Sequence, residues 1–473
     1  MTAQTNNKTI LLFRGSIEIF CALFILLLYL LISNLWVFDA PFWRYDDPMI
    51  IQQAMQSDFT RSLFDSELWK TFGLFSPLYG ISFVMDYKLA GLDAPFFYYH
   101  HLLAIYLISC VTFIWLRSYI GNTRALLAGL LFLAGIPTFI VANQIMVRHY
   151  VEGLFFVIIF LIFCQKMRNS ILHQWIGALF LFLALMEKEI FIIFLLYPFL
   201  KQNSLSFFRR LSSMIPAIIC TIVFFTWRTI ILKGFGGYGY PDESGWYKLY
   251  GFLSLIGKVF FGEGWRGLCV TGSIAFVFIS TIFIYRRRLS LSPVLKIMGG
   301  ACVMLLAFLP AVVTINSPQE EYSHFTYYRY LFISWWAFSC LLMTLPVILA
   351  PADTKTMKAT GETNILKKGI MLVPVLFVIM FLSIQNQNNH SFVASKSSFE
   401  NLYRFAIGSG AGKILNCPDK HSFWYYDLQL RLLANIYMRP CVHLEYKDGD
   451  RESDFINFIF DPSCACFKGI KKV

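Results

Sequence analysis

The sequence predicts an all-α polytopic membrane protein, and three observations carry that prediction. Of its 473 residues 57% are hydrophobic and only 14% charged, against about 25% charged in a soluble domain. The apolar residues fall into about eleven runs that approach the roughly 20 residues a bilayer crossing needs. Basic residues gather between the runs, in an order that alternates across the membrane. A water-soluble fold is excluded. So is a β-barrel, because residues 17–37 are almost unbroken Leu, Ile, Phe and Ala rather than alternating apolar and polar positions. The net charge of +12 is therefore read against membrane topology and not against nucleic acid.

The first run, expected to span 16–36, follows Lys8 and Arg14. It has no small-residue cleavage site and exceeds a signal-peptide core, so it reads as a retained anchor. With Lys8 and Arg14 in the cytoplasm, the same side receives Arg117 with Arg124, Lys166 with Arg168, Lys201 with Arg209 and Arg210, Arg286 to Arg288, and Lys355 through Lys368. The further spans are expected at 98–116, 124–143, 150–165, 171–187, 190–200, 212–231, 267–285, 293–315, 330–349 and 369–384. The N-terminus is then inside and the C-terminus outside. Residues 1–384 form a transmembrane domain and 385–473 a small extracytoplasmic domain.

Three long segments face outward on this topology. Residues 38–97 carry Trp43, Trp69, Phe72, Phe75 and Tyr79, a pattern suited to helices lying in the interface. Residues 233–266 include Gly234, Gly236, Gly237 and Gly239 with Tyr238 and Tyr240, either a substrate lid or only a loop. The tail holds Cys417, Cys441, Cys464 and Cys466, where one or two disulfides are expected in an oxidising compartment. The other seven of the eleven cysteines lie in or beside spans as packing residues. No internal repeat, Walker loop or Rossmann fingerprint is present, which argues against an ATP-driven pump.

Two places concentrate charge. Both flanks of 171–200 are cytoplasmic, so the chain must turn round at Glu187-Lys188-Glu189. Three charges there either line a wet functional cavity or sit solvated at the interface. The other place is Trp43-Arg44-Tyr45-Asp46-Asp47-Pro48, directly after the first span. Its adjacent carboxylates suit proton acceptance from a hydroxyl, with partial burial and mutual repulsion as tuning. The alternative is structural, with Asp47 capping a helix and Pro48 at its first position.

An ordered set of motifs runs through the chain: Tyr45-Asp46-Asp47 to Ser76-Pro77-Leu78, Met85-Asp86-Tyr87-Lys88-Leu89-Ala90-Gly91-Leu92, Tyr98-Tyr99-His100-His101-Leu102-Leu103, Gly135-Ile136-Pro137, Val147-Arg148-His149-Tyr150, Leu185-Met186-Glu187-Lys188-Glu189 and Tyr328-Arg329-Tyr330-Leu331. Over roughly residues 10–350 this set resembles GT-C membrane glycosyltransferases, and within them protein O-mannosyltransferases of the transmembrane TPR type, without the TPR repeats. The resemblance implies transfer of a sugar, with inversion, from a polyprenyl-phosphate donor to a glycan or protein acceptor on the extracytoplasmic face. It places Asp46 and Asp47 at the catalytic acidic pair, and Lys188, Arg329 and Arg148 as cations for the donor phosphate. Arg44, Glu189 and His101 are supporting residues, His101 standing where relatives often have asparagine.

The chemistry agrees. Displacing a polyprenyl phosphate develops negative charge that fixed cations in a water-poor cavity stabilise, and arginine grips phosphate through two donors. The bland readings are headgroup anchoring for Arg148, and snorkelling for Arg329. Arg228 beside Trp227 is expected to be an interface anchor, and Glu152 to pair with Arg148 one turn away. His100 and His101 are expected to be structural. No ligand set with metal spacing is found, and no cofactor is assigned, with a divalent metal left open. The expected setting is a bacterial inner (plasma) membrane. The competing class is a non-enzymatic transporter or flippase of lipid-linked glycans, which calls for charges in mid-span and repeat symmetry. A degenerate scaffold protein is a third reading.

Overall fold

The computed structural model describes residues 2–39, 47–70, 74–166, 170–197, 207–234, 269, 273–274, 331–349, 373–384, 386, 414–416, 443–445, 455–461 and 466–471. Helix α1 runs Thr2–Ser33 and passes through a 3-10 turn, Leu35–Asp39. Four short helices follow: α2 Asp47–Gln56, α3 Phe59–Phe64, α4 Ser66–Lys70 and α5 Pro77–Ala90. Then come α6 Ala94–Ile120, α7 Asn122–Ala134, α8 Ile136–Ala142, a 3-10 turn Ile145–Val147 and α9 Arg148–Lys166. After α10, Ile171–Glu187, the chain winds as a 3-10 helix, Glu189–Leu196. Later helices are α11 Phe207–Leu232, α12 Phe332–Leu349 and α13 Val373–Ile384.

Glycine and proline set the boundaries. Pro77 lies in the first turn of α5, where its missing N–H is no loss. Gly91 and Gly121 close α5 and α6 at φ 61° and 81°, and their N–H groups bond the carbonyls of Tyr87 and Arg117. Among the described residues four helical stretches are long and apolar enough to cross a membrane: Ser16–Ser33, Ala94–Ile120, Ile145–Cys164 and Leu211–Leu232. The pair α7 and α8 makes a fifth. Phe20 in α1, Leu103 in α6 and Ile222 in α11 are more than half exposed, the surface lipid would cover.

The structure corrects two expected spans. The one at 124–143 is bent by 61° between α7 and α8, at Gly135-Ile136-Pro137. A break in mid-membrane frees carbonyls that must find donors, and they do. Trp335 Nε1 donates to the Leu131 and Phe132 carbonyls at 3.1 and 3.2 Å, Thr138 Oγ1 to Phe132 at 2.6 Å, and Asn386 Nδ2 to Ala134 at 2.8 Å. Of the segment expected at 190–200, residues 190–196 belong to a 3-10 helix, Glu189–Leu196, whose eight residues at about 2 Å rise each cover roughly half a bilayer core; residues 198–200 lie outside the described residues. Of the expected span at 267–285 only residues 269 and 273–274 are described, and the span at 293–315 lies outside the described residues.

Helix α9 occupies the centre. Val151, Leu154, Val157 and Ile158 have no exposed surface, and α6, α10 and the 189–196 segment pack around them. Gly153 is what lets that segment close in, since a Cβ there would fall 2.0 Å from Phe191 Cε2. The tail adds a four-stranded sheet of order β1-β3-β4-β2, made of Ile414–Asn416, His443–Glu445, Phe455–Asp461 and Cys466–Lys471. β3 pairs antiparallel with β1 and β4, and β2 pairs parallel with β4.

Candidate active site

Asp47 opens α2 and has no exposed surface. Tyr98 of α6 donates its hydroxyl to Oδ2 at 3.1 Å, and the Met146 N–H donates to Oδ1 at 3.3 Å. The Met146 carbonyl in turn accepts from the Tyr79 hydroxyl at 2.8 Å. Both backbone groups of the residue two before Arg148 are thus pinned, one by the acidic motif and one by α5. Trp36 packs edge-on against Tyr98 at 5.1 Å and closes that side.

Arg148 begins α9 and is also fully buried. Its Nη1 donates to Asp86 Oδ2 and to Ser82 Oγ at 3.2 Å, and its Nη2 to the Phe97 carbonyl at 2.8 Å. The guanidinium lies 4.2 Å over the Phe83 ring, a cation–π contact. Nε has Glu152 Oε1 at 3.9 Å, so the expected one-turn pairing is present but long. Asp86 gives its other oxygen to His100 Nδ1 at 2.7 Å, and Glu152 accepts from Ser82 Oγ at 2.8 Å. Burial inside this network rules out the headgroup-anchor reading of Arg148.

The Glu187-Lys188-Glu189 motif is a helix break. Lys188 has extended backbone, φ −162° and ψ 133°, between α10 and the 3-10 helix. Its ammonium has no ion pair among the described residues, and it is half-buried. Glu187 is fully buried beside Glu152, and neither of its oxygens has a hydrogen-bond donor among the described residues; the same holds for Glu189 Oε2. His101 is buried and donates Nε2–H to the Val141 carbonyl at 2.8 Å, bracing α8 against α6. Arg228, expected to be an interface anchor, is buried. Asp46, Arg44 and Arg329 lie outside the described residues. No trio of His, Cys, Asp or Glu is grouped for a metal among the described residues.

Asp47, Arg148, Glu187 and His101 therefore stand around the start of α6 and α9, linked through Tyr98, Met146 and Glu152. The sequence reading missed Asp86, Ser82 and Glu187 as partners. The signal for Asp86 was that it is the one acid of α5, a helix whose only other charge is Lys88.

No family model matches the chain, and no curated protein matches it. Among solved structures it is similar to ArnT from Cupriavidus metallidurans bound to undecaprenyl phosphate, at 12% identity and TM-score 0.48, covering 90% of this chain and 86% of that one. The apo form of the same protein is similar at 12% identity and TM-score 0.44, covering 83% and 82%. At this distance the likeness bears on neither substrate nor residue roles.

Proposed function

We propose that the chain is an inverting GT-C glycosyltransferase that moves a sugar from a polyprenyl-phosphate donor to an extracytoplasmic acceptor, a surface glycan or a protein. The observation that carries the proposal is Asp47. This carboxylate follows the first span, is wholly removed from solvent, and is fastened to the turn that launches the buried Arg148. Burying a carboxylate is costly, and here it joins the acidic motif to a cation-bearing helix. Asp46 and Asp47 receive or position the acceptor hydroxyl, with Arg44 beside them. Lys188 and Arg329 neutralise the departing phosphate, and Arg148 adds positive field from inside its network. Glu189 and His101 hold the surroundings. The donor enters laterally from the bilayer of a bacterial inner membrane, the site faces outward, and the sheet-bearing tail at 385–473 is a separate outer domain that helps select the acceptor.

The flippase reading calls for charges in mid-span. In the described helices Glu18 lies near the cytoplasmic end of its own, while Arg148, Glu187 and Arg228 lie near the outward ends of theirs on the expected topology, and these outward groups favour transfer at that face. The test is to replace Asp46 and Asp47 individually with Asn and assay sugar transfer in membranes. A loss on the order of 10²–10⁴-fold is expected when the carboxylate that receives or positions the acceptor hydroxyl is lost; full activity in both variants removes the mechanism. Lys188→Met is expected to lower kcat by about 10²–10³-fold, the scale of one lost electrostatic stabiliser.

A further inference from the structure

The first two turns of α6 hold four segments at once. Tyr98 meets Asp47, the Phe97 carbonyl meets Arg148, His100 meets Asp86 and His101 meets the Val141 carbonyl. One of these groups is both fastened and reachable. The His100 side chain is 35% exposed, against 3% for Asp86 and 0% for Arg148.

An ionised carboxylate only accepts hydrogen bonds, so Asp86 Oδ1 at 2.7 Å takes a hydrogen from His100 Nδ1. Arg148 Nη1 also lies 3.4 Å from that nitrogen, but two donors do not bond, and the shorter contact to Asp86 fixes the tautomer. The neutral ring then presents Nε2 as its bare lone pair. Nε2 stands 3.6 Å from Glu152 Oε1, beyond hydrogen-bond distance, and no donor occupies it among the described residues. Asp47 differs: it has no exposed surface, and a donor already reaches each of its oxygens.

We propose that Asp86 and His100 form an acid–base dyad at the transfer centre, with His100 Nε2 taking the proton of the acceptor hydroxyl. This rests on the glycosyl-transfer reading. The acceptor oxygen bonds to the anomeric carbon while the bond from that carbon to the donor phosphate oxygen breaks. The electron pair leaves with the phosphate, and the acceptor's proton ends on Nε2. The titratable and charged groups around the ring are Asp86 of α5, Arg148 and Glu152 of α9 and His101 of its own helix, with Glu187 of α10 behind Glu152. Asp47 is then the residue that sets the geometry, and His100 the one that exchanges the proton.

The test has two arms on the full-length protein in nanodiscs. In the first, His100→Ala is expected to lower the transfer rate about 100-fold with donor KM unchanged, and added imidazole to restore part of it. A wild-type rate, or a loss that imidazole leaves untouched, overturns the dyad. The second arm needs no activity. Diethyl pyrocarbonate modification, mapped by peptide mass spectrometry, is expected to reach His100 well before the buried His101, to slow severalfold in Asp86→Asn, and to stay fast in Asp86→Glu. Equal His100 reactivity in wild type and Asp86→Asn overturns the dyad. If the second arm succeeds while the wild type moves no sugar from any polyprenyl-phosphate donor, the transfer reading fails and the dyad stands as a site without that reaction.

Discussion

Arg148 shows how far a single residue could be read from the sequence. Its motif placed it at a helix start, and Glu152 one turn on was a visible partner. Its main partner, Asp86, lies 62 positions earlier, and nothing local in either helix announces that pairing. Removing one member of a buried pair leaves the other uncompensated, typically at about 3–5 kcal/mol, whereas replacing both with apolar residues costs far less. Arg148→Met is therefore expected to lower the unfolding temperature sharply, and Arg148→Met with Asp86→Leu to recover much of the loss. Thermal unfolding in detergent reads the cycle; additive losses would show that the pair is not coupled. Asp47 was legible as a charged motif, with two readings left open. Its burial against Tyr98 and Met146 depends on α6 and α9 and could not be seen in the motif itself.

At the scale of elements, apolar runs located most helices but not their interruptions. The run at 124–143 looks continuous by hydropathy, yet Pro137 forbids a straight path and Trp335, about two hundred residues later, supplies the donor that makes the break tolerable. A Cβ on Gly135 would meet Trp335 Nε1 at 1.8 Å and one on Gly153 would meet Phe191 at 2.0 Å. Gly135→Ala and Gly153→Ala are each expected to destabilise the fold by at least the ~1–3 kcal/mol of overpacking, measurable as a lower unfolding temperature; unchanged stability would mean that these helices do not sit so close. The α3–α4 corner carries a pH-dependent contribution. Desolvation pushes the Asp65 carboxyl up, but Arg61 and the N–H groups of Leu68 and Glu67 outweigh it and hold it below 3.8. A depressed acid stabilises the fold at pH above its unfolded value and loses that contribution as pH falls through its folded value. Asp65→Asn is expected to remove this acid-side dependence of unfolding while leaving stability at pH 9 only slightly lower, as befits an exposed pair.

For the whole molecule, composition alone excluded a soluble fold, because 57% hydrophobic residues cannot be hidden in a chain of this size. The tail was legible only as a cysteine-bearing outer segment. Its sheet escaped notice because two of its strands are three residues long and β2 reaches β4 in parallel across intervening chain, a pairing that no local pattern specifies. Of the cysteines expected to form disulfides, Cys466 opens β4, and Cys417, Cys441 and Cys464 lie outside the described residues. The molecule's central property is the buried carboxylates Asp47 and Asp86 and the buried Arg148 brought to one end of α6 and α9 by helices far apart in sequence. The most direct measurement of what that assembly does is transfer of a radiolabelled sugar from polyprenyl phosphate by the purified protein, wild type beside Asp47→Asn of equal unfolding temperature. Labelled acceptor should accumulate with the wild type and fall at least 100-fold with the variant. Equal transfer by both proteins would contradict a role for the buried carboxylate in the reaction.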